Sequence, residues 1–248
     1  SRPERRNAVT YISFLELYYI IEDNENSKRC LFLIITGDPK GEAFTSGGYF
    51  KPEMFHKMQK YPEIDLMDIA QKKLCLKLWD FQKPVIVAIN GMGIGGGVTL
   101  PFAGGDLVYM AEDAWFGFYF ARRAIVPEFG TNFLLPLLIG FQRAKEICYM
   151  GKTVSSQRAL ELGLVNKVLP DEDLMKFTRE QALRLIPPQG PSLSLKLMKK
   201  TMHAYFRDIL SQTLDLENKA LRKTFASKDF KEAMSALKEK RDVGFIGK

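Results

Sequence analysis

Short apolar runs alternate with segments of helical spacing along this chain. Val85–Ile89 (VIVAI), mostly β-branched and closed off by Asn90-Gly91, has the composition of a buried strand. Cys30–Thr36 (CLFLIIT) predicts a second fully buried strand, and Asp106–Ala111 and Val165–Leu169 predict two more. Ala114–Phe120 reads as an aromatic-rich extended piece. Apolar residues at Ile12, Leu15, Tyr18 and Tyr19 predict a helix over Thr10–Glu22. Helices are also predicted over Glu63–Trp79, Phe133–Leu138 and Arg143–Met150, and from a Ser155 or Ser156 cap through Leu162. Asp173–Ile186, Pro191–Phe225 with one break, and Lys228–Arg241 form a helical last third. Interleaved strands and helices followed by a helical annex predict an α/β class.

Two of the predicted strands run into glycine-rich loops. Val85–Ile89 leads into NGMGIGGGVTL, and Cys30–Thr36 into GDPKGEAFTSGGYF. Glycine permits close backbone approach and positive φ, and a helix starting near Gly96 adds unpaired N–H groups and the positive end of its dipole. Such a turn stabilises negative charge, whether a phosphate or an oxygen that becomes anionic in a reaction. It serves equally well as a tight packing turn. The spacing is not that of a P-loop. Gly91, Gly93 and Gly96 fit a dinucleotide fingerprint, with only Glu112 and Asp113 offered as the following acid.

With 248 residues and 46% hydrophobic content the chain can bury one large core. The net charge of +7, from 36 basic and 29 acidic residues, suits an anionic partner without choosing among nucleic acid, membrane surface and phosphorylated ligands. Cys30, Cys75 and Cys148 are widely spaced, have no metal-ligand spacing and suit reduced core thiols. No apolar run has the length of a membrane span, and no secretory leader is visible.

Candidate chemistry is sparse. His56 and His203 sit among lysines and read as solvated or packed side chains, which leaves a Ser-His-Asp arrangement without support although Ser46 lies in a glycine loop. The clusters Lys196–Lys200 and Lys238, Lys240 and Arg241 read as solvated helix faces. Glu128 lies between Pro127 and Phe129-Gly130, near Ile125, Val126, Phe133 and Leu134. Desolvation there would raise its pKa and make it a proton acceptor near neutrality. A surface glutamate, or an acid at the N-terminus of the following helix, fits the same spacing.

Taken together, GEAFTSGGYF, AINGMGIGGGVTL, WFGFYFARRAIVPEFGT and SSQRALELGLVNKVLP resemble the crotonase superfamily, the enoyl-CoA hydratase/isomerase fold, and the likeness runs from RPERRNAV to AMSALKEKR. The resemblance implies a spiral of β-β-α turns over residues 1–190, and a helical trimerisation region over 191–248 that builds a homotrimer or a dimer of trimers. It implies a coenzyme A thioester as substrate, with no separate cofactor and no metal. By motif position the N–H groups of Gly48 and Gly96 would form an oxyanion hole. Arg5, Arg6, Ser46, Tyr49, Phe50, Gly95 and Phe120 would bind substrate. The two glutamates that hold water in hydratases are replaced by Thr99 and Phe120, whereas Glu128 matches the single acid of peroxisomal-type isomerases. The expected activity is therefore a Δ3,Δ2-enoyl-CoA isomerase, with Glu128 as acid/base and Phe118, Phe120, Phe129 and Phe133 as a dry acyl pocket. Alternatives are a hydratase-like enzyme, an acyl-CoA-binding member without catalysis and, ranked last, an RNA-binding protein of this fold. A bacterial protein of this kind would be cytoplasmic, and a eukaryotic one mitochondrial or peroxisomal.

Overall fold

The computed structural model describes residues 2–49, 65 and 68–248, apart from the side chains of 69 and 70. Its first helix, α1 (Tyr11–Glu25), starts at a reciprocal cap: Thr10 Oγ1 accepts from the Ser13 N–H, and Ser13 Oγ accepts from the Thr10 N–H. Strands then come in pairs, one for each of two four-stranded sheets. The pairs are β1 (Leu33–Thr36) with β2 (Ala43–Thr45), β3 (Val85–Ile89) with β4 (Met92–Ile94), and β5 (Leu107–Ala111) with β6 (Trp115–Gly117). The first sheet, β1-β3-β5 and then β8 (Lys167–Leu169), is parallel throughout. The second is β2-β4-β6-β7, with β7 (Thr153–Ser155) antiparallel to β6.

Helices carry the chain from one turn of the spiral to the next. A π-helical turn, Ile69–Lys73, leads into α2 (Leu74–Asp80) ahead of β3, and α3 (Gly96–Gly104) follows β4. After β6 come α4 (Thr131–Ile139) and α5 (Phe141–Met150), then α6 (Ser156–Glu161), which Ser155 caps. The chain ends with α7 (Asp171–Arg184), α8 (Ser192–Ala204), α9 (Arg207–Phe225) and α10 (Lys228–Glu239). This is the expected spiral of β-β-α turns. Among the described residues no helix is long and apolar enough to cross a membrane.

Three expectations need correction. β1 is half-buried rather than fully buried, because it is the edge of its sheet and β3 covers only one flank. In the second sheet β2 and β4 lie where glycine loops were expected and β7 where no strand was expected, while β6 falls inside the expected extended piece Ala114–Phe120. The strands of this sheet are three residues long, too short to show alternation, and β4 and β6 each contain a glycine. The helix expected over Glu63–Trp79 falls largely outside the described residues, and its described part begins as a π-turn, a shape that residue pattern does not encode.

Side chains stitch successive turns of the spiral together. Asn90, just after β3, donates through Nδ2 to the Gly37 carbonyl (2.9 Å) and accepts from the Gly37 N–H (3.0 Å). Asp106 accepts from the Val85 N–H and from Lys199 Nζ, both at 2.8 Å, which ties α8 to the first sheet. α3 packs so closely under β2 that a Cβ on Gly97 would stand 2.6 Å from Thr45 Cγ2 and 3.2 Å from the Thr45 carbonyl. Gly97→Ala is therefore expected to destabilise the fold by roughly 1–3 kcal/mol through overpacking. A lower urea midpoint at unchanged m would show this, and an unchanged midpoint would mean that the helix shifts without cost.

Candidate active site

The two glycine loops meet at one place. Gly47 (φ +90°) and Gly95 (φ +55°, ψ −117°) adopt conformations that L side chains rarely reach, and a Cβ on Gly95 would lie 3.9 Å from Gly47 Cα. Each turns the next amide into the same cavity. Val9 donates to the Gly47 carbonyl (3.0 Å) and accepts from the Tyr49 N–H (2.9 Å), so the intervening Gly48 directs its own N–H the other way. Gly96 is the first residue of α3, where an N–H has no intrahelical partner. Among the described residues neither amide meets an acceptor. Two bare donors, one backed by a helix dipole, suit an oxygen that gains charge during a reaction.

The cavity they face has a volume of about 430 Å³, and Glu128 also lines it. Glu128 opens a strained turn. Phe129 has φ +60° and Gly130 φ +72°, and a Cβ on Gly130 would stand 2.3 Å from Leu210 Cδ1. Phe129 is fully buried against Phe14, with ring centroids 5.3 Å apart. Glu128 is half-buried and lines the cavity. Thr99 Oγ1 donates to its Oε1 at 3.4 Å. Desolvation pushes the Glu128 carboxyl up to about 8; the charge of Glu217 adds to the rise, and the Thr99 hydrogen bond opposes it.

Glu217, on α9, clamps the turn that carries Glu128. Its carboxylate accepts from the Gly130 N–H (2.7 Å), the Asn132 N–H (2.9 Å) and Asn132 Nδ2 (2.8 Å), while Asn132 Nδ2 also reaches the Pro127 carbonyl (3.0 Å). Burial raises its own pKa to about 7 against these three bonds. The sequence reading missed Glu217. Its signal was there: Leu210, Leu214 and Leu221 mark the buried stripe of α9, and a glutamate interrupts it.

The other expected site residues divide. Ser46, Tyr49, Gly95 and Phe120 line the cavity with Gly48, Gly96 and Glu128. Ser46 also holds the N-terminal segment, donating from Oγ to the Arg5 carbonyl (3.0 Å) and from N–H to that of Arg6 (2.9 Å). Arg5 and Arg6 are exposed and do not line the cavity; the Arg5 guanidinium stacks 4.6 Å from the centroid of the Tyr49 ring. Phe50 and His56 lie outside the described residues. Of the four phenylalanines expected around an acyl group, Phe120 and Phe129 line the cavity. Phe118 instead stacks on Phe102 in the core and Phe133 packs on Phe206, because their backbone positions face away. Phe14, Phe225, Phe230 and Met234 supply the missing apolar wall, the last three from α9 and α10.

Tyr11 also reaches the cavity, and burial, with Glu128 nearby, pushes its hydroxyl up to about 12, so it is a neutral hydrogen-bonding group. His203 is a packed side chain: it stacks on Trp79 with centroids 4.0 Å apart, and its Nδ1 lies 2.8 Å from the Trp79 carbonyl. Cys75 is buried and Cys30 and Cys148 half-buried, all three as free thiols. Among the described residues no group of histidine, cysteine and carboxylate side chains could hold a metal ion.

Over residues 1–248 the chain matches the family described as enoyl-CoA hydratase/isomerase. It is 30% identical to the 1,2-epoxyphenylacetyl-CoA isomerase of Escherichia coli K12, covering 100% of this chain and 93% of that protein. It is equally 30% identical to the short-chain-enoyl-CoA hydratase of Clostridium acetobutylicum, over 98% and 90%. The crystal structure of an enoyl-CoA hydratase from Mycobacterium avium subsp. paratuberculosis K-10 superposes with a TM-score of 0.86 over 99% of this chain and 92% of that one, at 22% identity, which is a likeness of fold.

A carboxyl whose folded pKa is raised favours the protonated form, so its contribution to stability is fully present below its ordinary value near 4.5 and is lost as pH rises through about 8. Glu128→Gln removes that loss. The variant is expected to be more stable than wild type at pH 9, by on the order of a few kcal/mol, and nearly equal at pH 4.5. Urea denaturation at the two pH values checks this, and equal stability at pH 9 would place the carboxyl in water.

Proposed function

Since the chain belongs to the enoyl-CoA hydratase/isomerase family of enzymes acting on CoA thioesters, we propose that it moves the double bond of a 3-enoyl-CoA to the 2-position. The observation that carries this reading is a single carboxyl of raised pKa, Glu128, sharing one apolar cavity with two unpartnered amides. Ionised Glu128 takes a proton from C2. The electron pair of that C–H bond passes through the carbonyl carbon to the thioester oxygen, and the Gly48 and Gly96 N–H groups hold the dienolate. The carboxyl then returns the proton to C4, leaving a C2=C3 double bond. One acid/base group suffices because the proton is only relocated. Each amide contributes about 3 kcal/mol to the charged state in comparable sites. The phenylalanine-lined wall keeps water from the enolate. Coenzyme A is part of the substrate, and the reaction needs no other cofactor.

Water addition is the second reading, and the hydratase named among the relatives favours it. Against it, Thr99 and Phe120 stand where the resemblance expects water-holding glutamates; Thr99 is buried and bonds Glu128, and Phe120 offers no polar atom. A 3-hydroxyacyl product would select this reading over isomerisation.

The same proposal includes a homotrimer. Leu193, Leu197, Met198 and Met202 of α8, with Tyr205 just past its end, leave an exposed apolar face on a helix otherwise rich in lysine. The mass in solution is expected to be three or six times the 28.3 kDa of one chain, and a monomer that keeps full activity would remove the assembly from the reading.

Glu128→Gln is expected to lower kcat/KM for 3-enoyl to 2-enoyl conversion by a factor of about 10³ or more, because among the described residues no second carboxyl lines the cavity to stand in for it. In wild type kcat/KM is expected to rise with pH and level off above about 8, as Glu128 ionises. A rate within a few-fold of wild type in the variant, or a pH profile that is flat from 6 to 9, would remove Glu128 from the chemistry.

A further inference from the structure

The cavity contains a cation that the isomerisation does not use. Arg123 ends the short 3-10 turn Ala121–Arg123, and it lines the same cavity as Glu128, five residues later in the same loop. The turn packs against α10, whose Phe230, Met234 and Leu237 supply apolar wall beside it. Arg123 is half-buried and, among the described residues, its guanidinium has no carboxylate partner. Desolvation lowers its pKa and its neighbour Arg122 lowers it further; only the Tyr119 hydroxyl opposes them. The surrounding arginines are employed otherwise: Arg122 lies 5.0 Å over the Tyr119 ring, and Arg5 over Tyr49. A cation held partly out of water without a counter-charge costs stability, and a ligand anion that reaches it recovers the loss.

We propose that Arg123 recognises a carboxylate on the acyl group, so that the preferred substrate is the mono-CoA thioester of an unsaturated dicarboxylic acid. This rests on the acyl-CoA reading above and specifies its substrate class. Chemistry chooses between the two anions that such a ligand offers. The CoA phosphates are separated from the thioester by the whole pantetheine arm, whereas a carboxylate on a short acyl chain lies a few bonds from the carbon that Glu128 deprotonates. Arg123 lines the cavity that also holds Glu128 and both amides, and its proposed place there is beside the acyl group. The guanidinium fork suits a carboxylate through two parallel N–H···O bonds.

The test is calorimetric binding to the full chain of unreactive saturated ligands of matched length: glutaryl-CoA against pentanoyl-CoA, adipyl-CoA against hexanoyl-CoA, and free CoA. Wild type is expected to bind the carboxylated member of a pair about tenfold or more tightly, the size of a charge-assisted hydrogen bond in a partly dry site. Arg123→Gln is expected to abolish that preference while changing pentanoyl-CoA and free CoA by less than about twofold, and Arg123→Lys to keep part of it. Equal binding of each pair by wild type overturns the inference and leaves the isomerase reading standing. Equal weakening of all ligands, free CoA included, overturns it in favour of a phosphate contact. If no acyl-CoA binds, the acyl-CoA reading falls and this inference with it.

Discussion

Desolvation of one carboxyl governs this site. Glu128 occupies a turn in which the next two residues, Phe129 and Gly130, both have positive φ, and a non-glycine residue holds that conformation only when its surroundings over-determine it. Here they do. Phe129 is sealed under Phe14, Leu210 packs against the face of Gly130 where a side chain would stand, and Glu217 takes up three N–H groups of the turn and its helix. The clamp is itself a carboxylate, so it both holds the backbone and raises the pKa of Glu128. Stability and reactivity are opposed in this arrangement. Two desolvated acids destabilise the folded state as pH rises, and the same desolvation raises the affinity of Glu128 for a proton, as the proposed proton transfer requires.

The amides on the other two turns of the spiral follow from backbone geometry alone. Gly48 and Gly96 each come after a glycine of positive φ, and each leaves its N–H bare because its neighbours, and not itself, complete the local hydrogen bonding. β2 and β4 lie side by side in the second sheet, so the ends of two consecutive strand pairs arrive together. The third pair delivers the loop with Phe120, Arg123 and Glu128. The spiral thus sets two bare amides and one carboxyl around one space, and α9 and α10 line it with apolar side chains. The helical last third is part of the cavity wall, a role that its sequence did not announce.

What was legible beforehand follows from the length and regularity of each signal. Val85–Ile89 matched residue for residue because a continuous apolar run between turn residues has few readings. The helix after Gly95 was legible from its glycines, whereas the apolar flanks of Glu128 fitted a surface glutamate as well and only the family resemblance singled it out. β2, β4 and β7 were obscured because three residues carry no period, and their pairing is decided by partners far along the chain, whereas β6 was legible inside an aromatic-rich extended piece. Phe118 and Phe133 looked like pocket residues because they are aromatic and close in sequence to Glu128, but Phe118 packs on Phe102 in the core and Phe133, half-buried, on Phe206. Glu217 and Arg123 act through distant partners, or through the lack of one, and only the folded chain shows that.

The central proposal is that one desolvated carboxyl carries a proton from C2 to C4 inside a largely apolar cavity. It is tested most directly by single turnover of a 3-enoyl-CoA deuterated at C2, in ordinary water, with the product read by mass spectrometry and NMR. A buried acid that exchanges slowly with solvent is expected to leave a measurable share of the deuterium at C4 of the 2-enoyl product, and Glu128→Gln to give no such product. Product that forms at the wild-type rate in that variant, or a 3-hydroxyacyl-CoA in place of the 2-enoyl-CoA, would contradict it.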